Sequence, residues 1–277
     1  MQGGPANYVA RRWIVGVIAA VALAALVVVI LLIARGAQPA GPPIASSPTG
    51  TPSASATPSP SSTPAPAPIE TPAPPVAQLP PAGTCWGDPV DIGVLVNKLH
   101  PLCPLDYVPD LVQVASTGGT LRPEAAEALD AMAAALAAET GTSIYEASSY
   151  RSYDTQVSTY GGWVEQDGQD VADTYSARPG HSEHQTGLAI DLAAASCGCT
   201  DEPFGHTPEG EWIAANAWRF GWIVRYPDGY QSTTGYIWEP WHVRYIGVDA
   251  ATAMHDQGIA TYEDYLGAGP APDYVGG

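Results

Sequence analysis

Apolar and polar positions divide the 277 residues into three regimes. From Trp13 to Ala34 the chain reads WIVGVIAAVALAALVVVILLIA, 22 residues without a charge. As a helix rising about 1.5 Å per residue, this run reaches about 33 Å, enough for a bilayer core. It also exceeds the roughly 7–15 apolar residues of a signal-peptide core. Pro39 and the prolines after it make a poor cleavage site, so the pattern predicts an uncleaved anchor at 13–34, with a cleaved signal as the alternative. Arg11 and Arg12 precede the run, a weak positive-inside bias that leaves residues 1–12 as a short cytoplasmic N-terminus. Residues 35–82 then lose all periodicity: Pro, Ala, Ser and Thr dominate, and such a stretch has almost nothing to bury. A disordered, extended linker with a reach on the order of 100 Å is expected there.

Periodicity returns in residues 83–277, which predict one extracytoplasmic domain. Pro123–Ala138 is the clearest helix: proline suits the first turn, Leu129, Met132, Ala133 and Leu136 form an apolar stripe, and Gly141 stops it. Tyr153–Gln166 reads as a second helix weakened by Gly161-Gly162, Pro208–Phe220 as a third, and Val248–Gln257 as the last. Ser143–Tyr150 alternates like a strand, Leu188–Leu192 is a short buried one, and Trp222–Tyr226 and Tyr236–Val243 are two more. Val90–Tyr107 reads as a wrapped loop with one strand. No regular strand–helix–strand rhythm appears, so the expected fold is α+β, a small and mainly antiparallel sheet flanked by helices.

Charge narrows the partners. Twenty-eight acidic residues against ten basic ones give a net charge of -18, and Lys98 is the only lysine. Such a surface repels phosphate backbones, which excludes nucleic acid as a partner. Four cysteines in an exported domain point to disulfides. Cys85 and Cys103 bracket one loop and suit a bridge, whereas Cys197-Gly-Cys199 would need a tight ring, with crossed pairing or free thiols as alternatives.

The densest polar cluster runs from Arg178 to Asp191, and a second spans Tyr236–His242. Imidazole and carboxylate ligands suit zinc, and a catalytic site keeps three protein ligands and one open position. His184, Asp191 and His242 supply that set. Asp191 sits inside the apolar run LAIDL, where a carboxylate is costly unless paired or metal-bound. Glu239, three residues before His242, is placed to act as general base toward water at the zinc. No His-Glu-x-x-His segment occurs, so the chain is not a zincin. By default Trp238, Trp241 and Tyr245 are core packing.

Ser182-x-His184-x-x-Gly187-x-Ala189-x-Asp191, followed by Glu239-Pro-Trp-His242, resembles the signature of the VanY-type D-alanyl-D-alanine carboxypeptidases, zinc D,D-peptidases related to the VanX dipeptidases. The resemblance extends through Tyr150-Arg-Ser-Tyr-Asp-Thr-Gln156, Thr207-Pro-Glu-Gly, Phe220-Gly-Trp, Arg225-Tyr-Pro, and the upstream Val96-Asn-Lys and Pro101-Leu-x-Pro-x-Asp-Tyr-Val-Pro, so it covers nearly all of residues 94–247. It implies the zinc D,D-peptidase (hedgehog/DD-peptidase-like) fold and one Zn(2+) per domain on His184, Asp191 and His242. It further implies Glu239 as catalytic base and Arg151 as the group that stabilises the oxyanion. Gln156, Ser182, Arg178, Tyr150 and Trp241 become candidate substrate contacts, with His181 a neighbour of the site and not a ligand. The expected function is removal of the terminal D-alanine from peptidoglycan stem peptides ending in D-Ala-D-Ala, by a monomer anchored in the cell membrane with its catalytic domain on the wall side. Cross-link endopeptidase activity with the same residues is the alternative, and a non-catalytic wall-binding module a lesser one.

Overall fold

Residues 82–276 are described by the structure, a computed structural model. The expected anchor at 13–34 and nearly all of the linker at 35–82 lie outside the described residues, and no helix within them is long and apolar enough to cross a membrane. In chain order the elements are Val112–Gln113 (β1), Thr120–Leu121 (β2), Pro123–Thr140 (α1), Ile144–Ser148 (β3), Tyr153–Asp167 (α2), Gln169–Ala172 (α3), Ala189–Ala194 (β4), Pro208–Asn216 (α4), Trp222–Tyr226 (β5), Gln231–Thr234 (α5), Glu239–Tyr245 (β6), Val248–Gln257 (α6) and Tyr262–Leu266 (α7). β1 and β2 form a small ladder. The main sheet has the order β3-β4-β6-β5, antiparallel at every step. This is the expected mixed fold with small antiparallel sheets.

Local chemistry explains where the elements depart from the hydrophobic pattern. The helix expected over Pro208–Phe220 breaks at Asn216, whose φ is -129°, and continues as a 3₁₀ turn, Ala217–Phe220. Asn216 Nδ2 donates to the Trp212 carbonyl at 2.9 Å, the local competition with the helical ladder that polar side chains offer. Val90–Tyr107 holds no strand, only an isolated bridge between Trp86 and Leu95. The last strand starts at Glu239 and not at Tyr236, because Thr234 Oγ1 receives the Tyr236 N–H and holds that residue in a turn. α7 was not expected: Thr261 caps it by accepting from the Asp264 N–H, and five residues are too few to print a 3.6-residue period. Both cysteine pairs close locally, Cys85 with Cys103 and Cys197 with Cys199. The second ring, expected to be disfavoured, is opened by Gly198 at φ 69°, a left-handed turn that costs glycine little. It packs beside Tyr145 and does not line the cavity described below.

The core sits between α1 and one face of the sheet. Leu129, Met132 and Leu136 pack with Ile144, Ile190, Leu192, Trp222 and Val243. The burial that positions the site is ionic. Glu183 is fully enclosed and accepts from Arg225 Nε at 2.9 Å and Arg244 Nη1 at 2.8 Å. Arg225 also holds Glu263 of α7 through two bonds of 2.9 and 2.6 Å, and Asn97 Nδ2 donates to the same carboxylate at 3.1 Å. The network therefore ties the N-terminal segment, β5, β6 and α7 to the turn before β4. Removing one member strands a charge in a dry interior. Glu263→Ala is expected to lower the urea-derived unfolding free energy by about 3–5 kcal/mol, while Asp256→Ala, at an exposed pair with His255, should leave it within about 0.5 kcal/mol.

Candidate metal centre and active-site cavity

Sheet register brings the ligands together. Ser148, Asp191 and His242 stand opposite one another across β3, β4 and β6, so their side chains share one face. His184 arrives from the 3₁₀ turn Glu183–Thr186, which Gly187 ends at φ 69°. Its Nδ1–H donates to the Ser149 carbonyl at 2.8 Å, which turns Nε2 toward Asp191 Oδ2 at 3.2 Å. Asp191 Oδ1 lies 2.9 Å from His242 Nδ1. The far nitrogen of His242 faces Glu183 Oε2 at 3.4 Å.

Residues three apart on a regular strand point to opposite faces, so the spacing of Glu239 and His242 alone would separate them. The β5–β6 pairing shifts between Val224, opposite Val243, and Tyr226, opposite Glu239. Pro240 and Trp241 occupy the irregularity, where proline loses no ladder bond. Glu239 thereby lines the same cavity as His242, the re-aiming that strand irregularities provide next to active sites.

Electrostatics separate the carboxylates. Burial raises the Glu239 carboxyl to about 8, against the opposing pull of His242. Burial also disfavours the charges of Asp191 and Glu183, but His184 and His242 hold Asp191 well below the carboxylate range, and Arg225 and Arg244 do so for Glu183. Two carboxylates thus stay charged and one retains a proton near neutrality, the separation expected of groups with different chemical roles.

The donor set fits a metal ion: ligand atoms of His184, Asp191 and His242 all lie within 4.8 Å of one another. Each imidazole is oriented from behind, one by a backbone carbonyl and one by a carboxylate, as metal-binding histidines are. Two nitrogens and a carboxylate leave a position open on zinc.

A cavity of about 600 Å³ surrounds this centre, and Arg151, Gln156, Ser182, Tyr150 and Trp241 all line it. Arg151 Nη2 is 4.0 Å from Asp191 Oδ2. Arg178, expected as a substrate contact, is elsewhere. Asp173 takes its guanidinium through two bonds of 3.1 and 2.7 Å, and Tyr274 lies under it at 4.2 Å. Its charge is already matched, and it lines a separate polar cavity with Lys98. His181, expected beside the site, does not line the cavity: its ring meets the Asn97 carbonyl and the ring of Tyr274. Sequence reasoning missed Glu183, Arg244 and Glu263. The available signal was Glu183, an acidic residue wedged between Ser182 and His184, with Arg225 in a resembling stretch.

Fold and site together define a zinc metallopeptidase, a hydrolase with one metal per domain. Residues 118–248 match the VanY family, described as D-alanyl-D-alanine carboxypeptidase. The putative carboxypeptidase YodJ of Bacillus subtilis (strain 168) is 38% identical over 189 residues, 65% of this chain and 68% of that protein. The LdcB LD-carboxypeptidase structure is 39% identical, with a TM-score of 0.59, over 65% of this chain and 87% of its own. A mutant of the vancomycin resistance D,D-pentapeptidase VanY in complex with Zn(II) is 33% identical, with a TM-score of 0.55, over 63% of this chain and 98% of its own. The chain belongs to the VanY D-alanyl-D-alanine carboxypeptidase family and is a zinc-dependent carboxypeptidase.

Two outcomes follow from the site. Asp191→Ala should take zinc content, measured by plasma mass spectrometry, from one per chain to near none. The second concerns pH in the chelator-stripped protein. Because Glu239 titrates higher in the fold than its usual 4.5, the fold holds a proton there that the unfolded chain has released. That contribution is present at low pH and fades as pH rises through the window from 4.5 to about 8. Glu239→Gln should therefore gain stability over the parent progressively across that window, read by urea unfolding at several pH values; a constant difference contradicts the assignment.

Proposed function

We propose that this carboxypeptidase hydrolyses the terminal D-Ala from peptidoglycan stem peptides ending in D-Ala-D-Ala. The observation that carries the reading is one cavity holding His184, Asp191 and His242 with Glu239 and Arg151 in its wall. Zinc, when bound, supplies Lewis acidity that makes water nucleophilic near neutral pH and polarises the scissile carbonyl. Glu239, whose burial raises its proton affinity, accepts the proton of the attacking water and returns it to the leaving amine. Arg151 directs a partly buried guanidinium at the growing negative charge, where a fixed cation is worth more than in water. Gln156, Ser182, Tyr150 and Trp241 contact the peptide.

The segments outside the described residues complete the proposal: residues 1–12 in the cytoplasm, an anchor at 13–34, a Pro/Ala/Ser/Thr-rich linker at 35–82, and the catalytic domain from 83 onward at the cell wall. The linker's composition supports a spacer that gives the domain reach. A second reading, release of a D-residue from a tetrapeptide, is favoured by the likeness to the LdcB LD-carboxypeptidase.

The zinc-loaded full chain is to be given a pentapeptide ending in D-Ala-D-Ala and the tetrapeptide lacking its last residue, and released D-alanine measured. The proposal expects release from the pentapeptide; release from the tetrapeptide alone establishes the second reading. Glu239→Gln should lose about 10²–10⁴-fold in kcat, and Arg151→Ala about 10²–10³-fold, with zinc content unchanged in both.

A further inference from the structure

The cavity extends well past the metal centre. Its outer wall is the side of α2 that carries Thr155, Thr159 and Trp163, positions four apart that line one helix face. Trp163 therefore stands about 12 Å along the axis from Thr155, at about 1.5 Å per residue. It is 39% exposed and packs edge-on against Tyr175, which also lines the cavity, with ring centres 5.5 Å apart at 89°. Tyr175 is fixed in turn by donating to Asp167 Oδ2 at 2.5 Å. The two rings meet at right angles, and part of the indole stays exposed.

An independent observation points to a ligand in the same cavity. Gln156, 1% exposed, donates through Nε2 to the Ala177 carbonyl at 2.6 Å, while its buried Oε1 has no partner among the described residues. A buried acceptor of this kind calls for a donor from outside.

We infer that the outer end of the cavity is a subsite for an uncharged N-acetylated pyranose ring, the sugar to which a wall stem peptide is attached. The inference rests on peptidoglycan being the substrate. The C–H face of the ring packs on the Trp163 indole and its hydroxyls reach the Thr159 oxygen one turn away, while Gln156 Oε1 takes an amide N–H of the attached peptide. Charge complementarity favours a neutral group. α2 carries Asp154, Glu165 and Asp167 and neither Lys nor Arg, which repels the carboxylates of a stem peptide. Asp167 already accepts from Tyr175 and Gln166, so no spare carboxylate from it awaits an ammonium group.

The test compares a disaccharide-linked pentapeptide with the same pentapeptide free, using the zinc-loaded full chain, and measures binding of the disaccharide alone by calorimetry. Trp163→Ala should lower kcat/KM roughly tenfold on the glycan-linked substrate, abolish disaccharide binding, and leave the free peptide unchanged. Equal losses on both substrates, or a loss that disappears when the peptide's side-chain amine is acetylated, overturn the subsite in favour of peptide or ammonium binding. Disaccharide binding that depends on Trp163 while neither peptide is cleaved would refute the proposed substrate bond and leave the subsite standing.

Discussion

A single buried carboxylate, Glu183, organises this domain. An isolated charge cannot persist in such surroundings, and two arginines from adjacent strands, Arg225 and Arg244, meet it. Once they are in place, the turn that carries His184 is locked against β5 and β6, and the second oxygen of Glu183 backs the ring of His242. The metal centre inherits its geometry from an ion cluster one layer deeper. Well-packed apolar residues can match such a cluster in stability, but they would not hold a histidine ring in one orientation. What the cluster adds to this fold is position.

The chemistry of the cavity then depends on carboxylates held in different states. Asp191 and Glu183 each face cationic or imidazole partners and stay ionised, whereas Glu239 is enclosed with weaker compensation and holds its proton more tightly. A bound zinc ion would be the largest local charge and would draw Glu239 downward, toward the range where a base can both take and return a proton. The strand irregularity at Pro240-Trp241 is what lets this group share a cavity with the ligands.

Much of this was legible in the sequence where chemistry and spacing were local. His184 and Asp191 fall within eight residues, and the apolar neighbours of Asp191 mark its carboxylate as partnered. The strands expected over Ser143–Tyr150, Leu188–Leu192 and Trp222–Tyr226 formed for the same reason, whereas the one expected within Val90–Tyr107 did not. What failed was long-range pairing. Arg178 looks free in a polar stretch, and only the fold closes Asp173 onto it. Glu183 reads as a solvated charge until strands far along the chain deliver its arginines. The separation of Glu239 and His242 is misleading on a regular strand, and nothing local announces the offset that corrects it.

Asn97 and Glu263 lie outside residues 118–248, the span that matches the family, yet both belong to the cluster behind His242. The ion cluster therefore draws on residues from both sides of that matched span. A chain clipped after α6 retains every ligand and the base but leaves Arg225 without Glu263. The last short helix therefore buttresses the metal centre from behind, through Arg225 and Glu183 to the ring of His242.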